Sequence, residues 1–74
     1  MEIISLDLMA ERCPLALLLA KRACSTLLPN QGLEIRISDS GARSDITCFL
    51  HNNGYVTDIL VDDNTQLIMM VKKG

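Results

Sequence analysis

The dipeptide Cys13-Pro14 most constrains how this chain can fold, because it marks a change of secondary structure. Glu2 to Asp7, before it, alternates as a β-strand does, and Pro14 to Leu28, after it, carries apolar residues at helical spacing. Proline is tolerated at the first helical position, where no intrahelical N–H bond is lost. The sequence therefore predicts a strand, a tight turn and a helix that begins at Pro14 with Cys13 as its N-cap.

An N-cap cysteine is expected to be reactive. The Cys13 sulfur would lie against the unpaired N–H groups of the first turn and the positive end of the helix dipole. Both favour the thiolate, which is the nucleophilic form of cysteine. The positive charge of the neighbouring Arg12 would stabilise this thiolate, and the negative charge of Glu11 would destabilise it. The expected support for a thiolate at this helix start comes from Arg12, Pro14, Leu15 and Ala16.

The remaining patterns predict three more strands and one more helix. Leu33 to Ser38 alternates between apolar and polar residues, as in a half-buried strand. A second helix is predicted over Ala42 to Asn53, with Ser40 or Ser44 as its cap. Gly54 is its expected stop. The last two predicted strands, joined by a loop of turn-forming residues, are Tyr55 to Val61 and Thr65 to Lys72.

The order of these elements predicts a two-layer α/β sandwich. The first strand, helix and strand should form a right-handed parallel crossover, and the last two strands an antiparallel hairpin. Residues 1–74 would then be a single α+β domain with its helices on one face of the sheet. Ile3, Ile68 and Met70 are expected on the open face, either as a partner or dimer surface or as ordinary exposed aliphatics. The oligomeric state stays open.

Composition and charge exclude several classes of function. With 49% hydrophobic residues, a chain of 74 residues favours one compact domain over disorder. A net charge of −2 attracts neither nucleic acid nor an anionic membrane at long range. Three irregularly spaced cysteines and a lone His51 indicate no disulfide framework and no metal site, and no cofactor is implied. His51 is expected to be a solvated helix residue.

The first part of the chain shows no sign of a membrane span or leader. The apolar run Leu15 to Ala20 has six residues, too few to cross a bilayer. Glu2 and Glu11-Arg12 do not fit the basic start and unbroken apolar core of a signal peptide. The expectation is a cytoplasmic protein with reduced thiols.

The other two cysteines are weaker candidates than Cys13. Cys24 is expected in the core and, on the same helix, lies about 16 Å from Cys13, beyond the Cα separation of about 7 Å that a disulfide allows. Cys48 is expected to be partly exposed, either as a resolving thiol or as an incidental cysteine. The predicted apolar stripe of the first helix consists of Leu17, Ala20, Cys24, Leu27 and Leu28.

Several short segments, together with the predicted order of strands and helices, match a pattern known from one protein family. These are Leu6-Asp7, Cys13-Pro14-Leu15, the turn from Pro29 to Gly32, Asp45-Ile46, Gly54-Tyr55 and the ending Val71-Lys72-Lys73-Gly74. In this arrangement the chain resembles the TusA/SirA family of small sulfur-carrier proteins over nearly its whole length. The resemblance implies a βαβαββ fold with a mixed four-stranded sheet in the order 1-2-4-3, the last strand antiparallel to the others.

The resemblance also implies a role for Cys13. In such proteins this cysteine accepts persulfide sulfur from a donor such as a cysteine desulfurase. It passes the sulfur to an acceptor protein, for example towards tRNA thiolation, molybdenum cofactor assembly or sulfur oxidation. Arg12, Lys21 and Arg22 would then either recognise an acidic partner surface or be ordinary solvated charges.

Two positions depart from the family pattern. The family has Cys-Pro-x-Pro, where this chain has Ala16, and it usually has glycine where this chain has Ala10. Unlike proline, Ala16 has an N–H that could donate a further hydrogen bond to the sulfur. The loss of proline could equally loosen the helix start and impair docking to partners.

Two other classes of function compete with the sulfur carrier. Ala10 and Ala16 favour a related domain that binds or regulates a partner without transferring sulfur. The family fold also resembles the C-terminal domain of a translation initiation factor, which suggests RNA binding by analogy. Direct nucleic acid binding is not expected, because the chain is acidic and Phe49 and Tyr55 are its only aromatic residues.

Overall fold

A computed structural model of the chain describes residues 2–73 and confirms the predicted α+β fold. Over these residues four strands form one sheet in the order β1-β2-β4-β3. β1 is parallel to β2, and β4 is antiparallel to both of its neighbours. The elements are β1 Glu2–Leu8, α1 Leu15–Ser25, β2 Gln31–Ile37, α2 Ser40–Asn52, β3 Val56–Asp62 and β4 Leu67–Lys72.

The core lies between the helices and the face of the sheet that they cover. Alternate residues of the two central strands point into it, and Ile35 of β2 lies opposite Met69 of β4. Successive strand side chains point to opposite faces, so one alternating set builds the whole buried face. The buried side chains of the central strands are Leu33, Ile35, Ile37, Leu67, Met69 and Val71. Those of the helices are Ala16, Ala20, Cys24, Ala42, Ile46 and Leu50.

The other face of the sheet is less covered, as predicted. Ile3 is 53% exposed, and Ile68 and Met70 are half-buried. Neither helix in residues 2–73 has the length and apolar character needed to cross a membrane.

The first helix ends three residues earlier than predicted. Thr26 N donates to Ala23 O and Leu27 N to Cys24 O, so these hydrogen bonds span three residues, as in a 3₁₀ turn, rather than the four of an α-helix. Leu27 is buried, as predicted, but Leu28 is 55% exposed, so its assignment to the buried stripe was wrong. Leu28 precedes Pro29, and the residue before a proline disfavours helical backbone.

Asp63 organises the turn between β3 and β4. Its Oδ1 accepts hydrogen bonds from Thr65 Oγ1 at 2.8 Å, Thr65 N at 2.8 Å and Gln66 N at 2.9 Å. Arg43 Nη1 of α2 donates to Asp63 O at 2.8 Å and ties the turn to the helix layer. The use of these N–H groups in the turn explains why β4 begins at Leu67 rather than at the predicted Thr65.

These contacts hold the pKa of Asp63 below its ordinary value, chiefly through the Thr65 hydroxyl and the two backbone N–H groups. A depressed pKa in the folded state contributes stability that is present above the unfolded value of about 3.9 and is lost as pH falls through the folded value. Asp63→Asn should therefore unfold at lower urea concentration than the wild type at pH 7, and the two midpoints should converge as the pH falls through the folded-state pKa of Asp63. A gap in urea midpoint that is constant over this pH range would contradict the assignment.

Candidate functional site

Cys13 lies where two loops meet at one edge of the sheet. Because β1 and β2 are parallel, the loop from β1 to α1 and the loop from β2 to α2 leave the same edge. Ser38 Oγ in the second loop donates to Met9 O in the first at 3.1 Å. Gly41, in the first turn of α2, is so close that a Cβ placed on it would lie 3.9 Å from Cys13 Cβ. The sulfur is therefore held between the starts of both helices.

The loop that carries Cys13 folds through local hydrogen bonds. Asp7 Oδ1 accepts from Met9 N at 2.9 Å, and Glu11 N donates to Leu8 O at 3.0 Å to close a four-residue turn. Ala10 occupies the third position of this turn, where the family usually has glycine. No residue other than glycine within 2–73 has a positive φ, so the turn does not need a glycine there. The departure at Ala10 is compatible with the fold.

The helix start differs from the prediction by one residue. Pro14, at φ −89° and ψ −7°, is the N-cap of α1, and it follows Cys13 across a cis peptide bond. Ala16 N donates to Arg12 O at 2.9 Å, so the predicted hydrogen bond from Ala16 to the sulfur is wrong. Arg12 and Leu15 are exposed, and the structure gives neither as a hydrogen-bond partner of Cys13 within residues 2–73. The Arg12 carbonyl oxygen therefore accepts the N–H of Ala16 that was expected to face the sulfur.

The sulfur is instead bound to the second helix. Cys13 Sγ donates to Asp45 Oδ2 at 2.7 Å, a contact between residues 32 positions apart. This hydrogen bond raises the pKa of Cys13, and partial desolvation and the negative charges of Asp45 and Asp39 raise it further. The helix start was expected to favour the thiolate, whereas these contacts with acidic residues favour the thiol. The Asp45 carboxylate contacts the sulfur directly. Cys13 itself is not the N-cap of α1, since it lies one residue before Pro14.

Sequence reasoning missed both acidic residues at the site. Asp39, rather than Ser40 or Ser44, is the N-cap of α2, and its Oδ2 accepts from Ala42 N at 2.9 Å. Asp45 was noted only as part of a family match. Its position directly before the buried Ile46 was the available signal, because it places Asp45 beside the buried stripe of α2.

A cavity of about 390 Å³ lies between the two loops. One wall is formed by the residues just before Cys13, and the other by the loop that follows β2. Arg12 lines the cavity, whereas the next residue, the half-buried Cys13, does not. The lining residues are Met9, Ala10, Glu11, Arg12, Ser38 and Asp39.

The comparisons with known proteins agree with this architecture. A family model described as sulfurtransferase TusA matches residues 4–73. The chain belongs to the TusA family. It is 29% identical over 69 residues to the "Putative sulfur carrier protein YrkI" of Bacillus subtilis (strain 168), covering 93% of this chain and 92% of that protein. The crystal structure of a SirA-like protein from Desulfitobacterium hafniense superposes with a TM-score of 0.73 at 19% identity, covering 92% of this chain and 93% of that one.

The remaining cysteines of this TusA-family chain lie as predicted. All three cysteines are free. Cys24 is 2% exposed in the core, and burial raises its pKa to about 11. Cys48 is exposed on α2, where Asn52 Nδ2 donates to its sulfur at 3.3 Å. His51 is exposed, as expected.

The basic residues considered for partner recognition are at the surface. Arg12, Lys21 and Arg22 are all exposed. Lys21 Nζ lies 5.5 Å from the centroid of the Phe49 ring on α2, a cation–π contact that gives this charge a structural role between the helices. Recognition of an acidic partner by these residues stays a prediction.

Loss of the Asp39 cap should destabilise the fold. Asp39→Ala removes the acceptor for Ala42 N and should cost about 1 kcal/mol of unfolding free energy, measured by urea denaturation. Asp39→Asn is the matched control, because its amide oxygen can still accept this bond, and it should lose much less. Equal losses in the two variants would contradict the capping assignment.

The cysteines should differ in their access to reagents. At pH 8 a thiol with a pKa of about 11 is ionised in about one molecule in a thousand. Cys24 should therefore resist iodoacetamide in the native protein and react only when urea unfolds the chain, whereas Cys48 should react in both conditions. Peptide mass spectrometry measures the two sites separately. Rapid native labelling of Cys24 would show that it is not in the core.

Proposed function

We propose that this chain is a sulfur carrier that accepts persulfide sulfur on Cys13 from a donor protein and passes it to an acceptor protein. The observation that carries the proposal is the match to the TusA family over residues 4–73, which includes Cys13-Pro14 at the junction of β1 and α1. The name of its relative, "Putative sulfur carrier protein YrkI", supports the same role. A cysteine desulfurase is the expected class of donor.

The proposed chemistry is an exchange between sulfur atoms. The Cys13 sulfur attacks the outer sulfur of a donor persulfide, R–S–SH, forming Cys13–S–SH while the S–S bond of the donor breaks. The proton lost by Cys13 ends on the departing donor sulfur, so the products are Cys13–S–SH and R–SH. The acceptor then repeats this exchange. No net oxidation occurs, and one cysteine is enough.

The surroundings of Cys13 suit an exchange between two proteins. Cys13 is half-buried in a loop at the sheet edge, beside a cavity of about 390 Å³. Exchange chemistry needs access to the sulfur and a leaving thiol more than it needs an enclosed pocket. A compartment that keeps thiols reduced, such as the cytoplasm, suits this chemistry.

The alternative is a module of the same family that binds or regulates a partner without transferring sulfur. One observation favours it. The hydrogen bond from Cys13 Sγ to Asp45 Oδ2 raises the pKa of Cys13, so the free protein holds less of the nucleophilic thiolate. The two functions differ in whether Cys13 ever carries a sulfur atom.

Intact-mass spectrometry after incubation with a cysteine desulfurase and cysteine separates these functions. The wild type should gain about one sulfur atom, and a thiol reductant should remove it. Cys13→Ser should gain none, whereas Cys48→Ser, the matched control for an accessible cysteine, should gain as much as the wild type.

Two outcomes would contradict the carrier proposal. An adduct that survives in Cys13→Ser and maps to Cys48 would place sulfur on the wrong residue. No adduct in any variant, with the desulfurase shown to be active on another acceptor, would favour the binding module.

A further inference from the structure

We propose that Asp45 is a positioning residue for Cys13, whose carboxylate holds the sulfur as a thiol in the free protein and releases it when a sulfur donor docks. The proposal rests on the proposed carrier function of Cys13. It adds a device that confines reactivity to the complex with the donor.

The contact itself requires a proton. Cys13 Sγ and Asp45 Oδ2 are 2.7 Å apart. An ionised carboxylate can only accept hydrogen bonds, and a thiolate has no hydrogen to donate. Two anions at this distance would repel each other. The observed geometry is therefore that of a thiol bound to a carboxylate, and removing the thiol proton breaks it.

The other charged groups around the sulfur act mainly in the same direction. From α2 and its cap, Asp39 adds a second negative charge that raises the pKa of Cys13. From the loop before α1, Glu11 is also negative, while Arg12 is exposed and donates no hydrogen bond to the sulfur within residues 2–73. The negative charges that raise the pKa of Cys13 thus both come from α2 and its cap.

Sulfur transfer must undo this contact. In the docked complex a basic side chain of the donor, such as lysine or histidine, takes the proton from Cys13. The sulfur then attacks the outer sulfur of the donor persulfide. The inner donor sulfur leaves with its electron pair and receives the proton from that base. The same positive charge beside Asp45 would offset the repulsion between the carboxylate and the ionised sulfur.

The first experiment measures the thiol without any donor. Iodoacetamide labelling of Cys13 is followed from pH 6 to 11 in a Cys48→Ser background, by peptide mass spectrometry. Asp45→Asn should lower the midpoint of the pH–rate profile, so that labelling at pH 7 becomes severalfold faster. Asp39→Asn, which removes a nearby charge but no contact with the sulfur, should lower it less. Circular dichroism and the urea midpoint check that each variant is folded.

The second experiment measures release on docking. Persulfide loading by a cysteine desulfurase at pH 7 should be accelerated by Asp45→Asn much less than alkylation is, because docking already breaks the contact in the wild type.

Three results would overturn the proposal. The first is an unchanged or raised midpoint in Asp45→Asn, and the second is an equal shift in Asp39→Asn. The third is loading accelerated as much as alkylation, which would mean that docking leaves the contact intact. Because labelling uses no donor, a failure of the carrier function would show separately, as absent loading with the midpoint shift still present.

Discussion

The parallel pairing of β1 with β2 is the constraint on which the site depends. It places the two strand ends, Leu8 and Ile37, side by side, so that the loops that follow must meet at the same edge. Each loop leads directly into a helix, and the starts of α1 and α2 therefore converge on Cys13. In an antiparallel pair the same loops would lie at opposite edges, and the sulfur would have no second helix beside it.

Packing of the helices fixes the site in turn. Ile46, fully buried against the sheet, is the next residue after Asp45, so the position of the carboxylate follows from that of the core. On the other side, Ala16, the second residue of α1, is fully buried and anchors the start of the helix that follows Cys13. The distance between the Cys13 sulfur and the Asp45 carboxylate thus depends on how Ala16 and Ile46 pack in the core. A polar contact at the surface gains its precision from apolar packing beneath it.

The fold was predictable because apolar residues recur at strand and helix spacing along the sequence. Leu33, Ile35 and Ile37 alternate with polar residues, and all three are buried in β2, which begins two residues earlier and ends one residue earlier than the predicted strand. Element ends were less predictable, since they depend on individual hydrogen bonds such as those of Asp63. The position of Cys13 was predicted, but its main partner was not. A contact between residues 13 and 45 leaves no periodic trace in the sequence, and the Ala16 N–H that was expected to face the sulfur donates to Arg12 O instead.

Cys13 donates its hydrogen bond to Asp45 on α2 rather than to a group on α1. A sulfur carrier with this contact would therefore differ at α2 between its empty and its loaded form. A second sulfur atom extends the side chain by an S–S bond of about 2.05 Å. That sulfur takes the place of the hydrogen that Sγ now donates to Asp45 Oδ2 over 2.7 Å, so a loaded Cys13 cannot keep this hydrogen bond. Loading would therefore alter the surface around Asp45 on the second helix. A protein touching α2 would then distinguish a full carrier from an empty one without contacting the cargo itself.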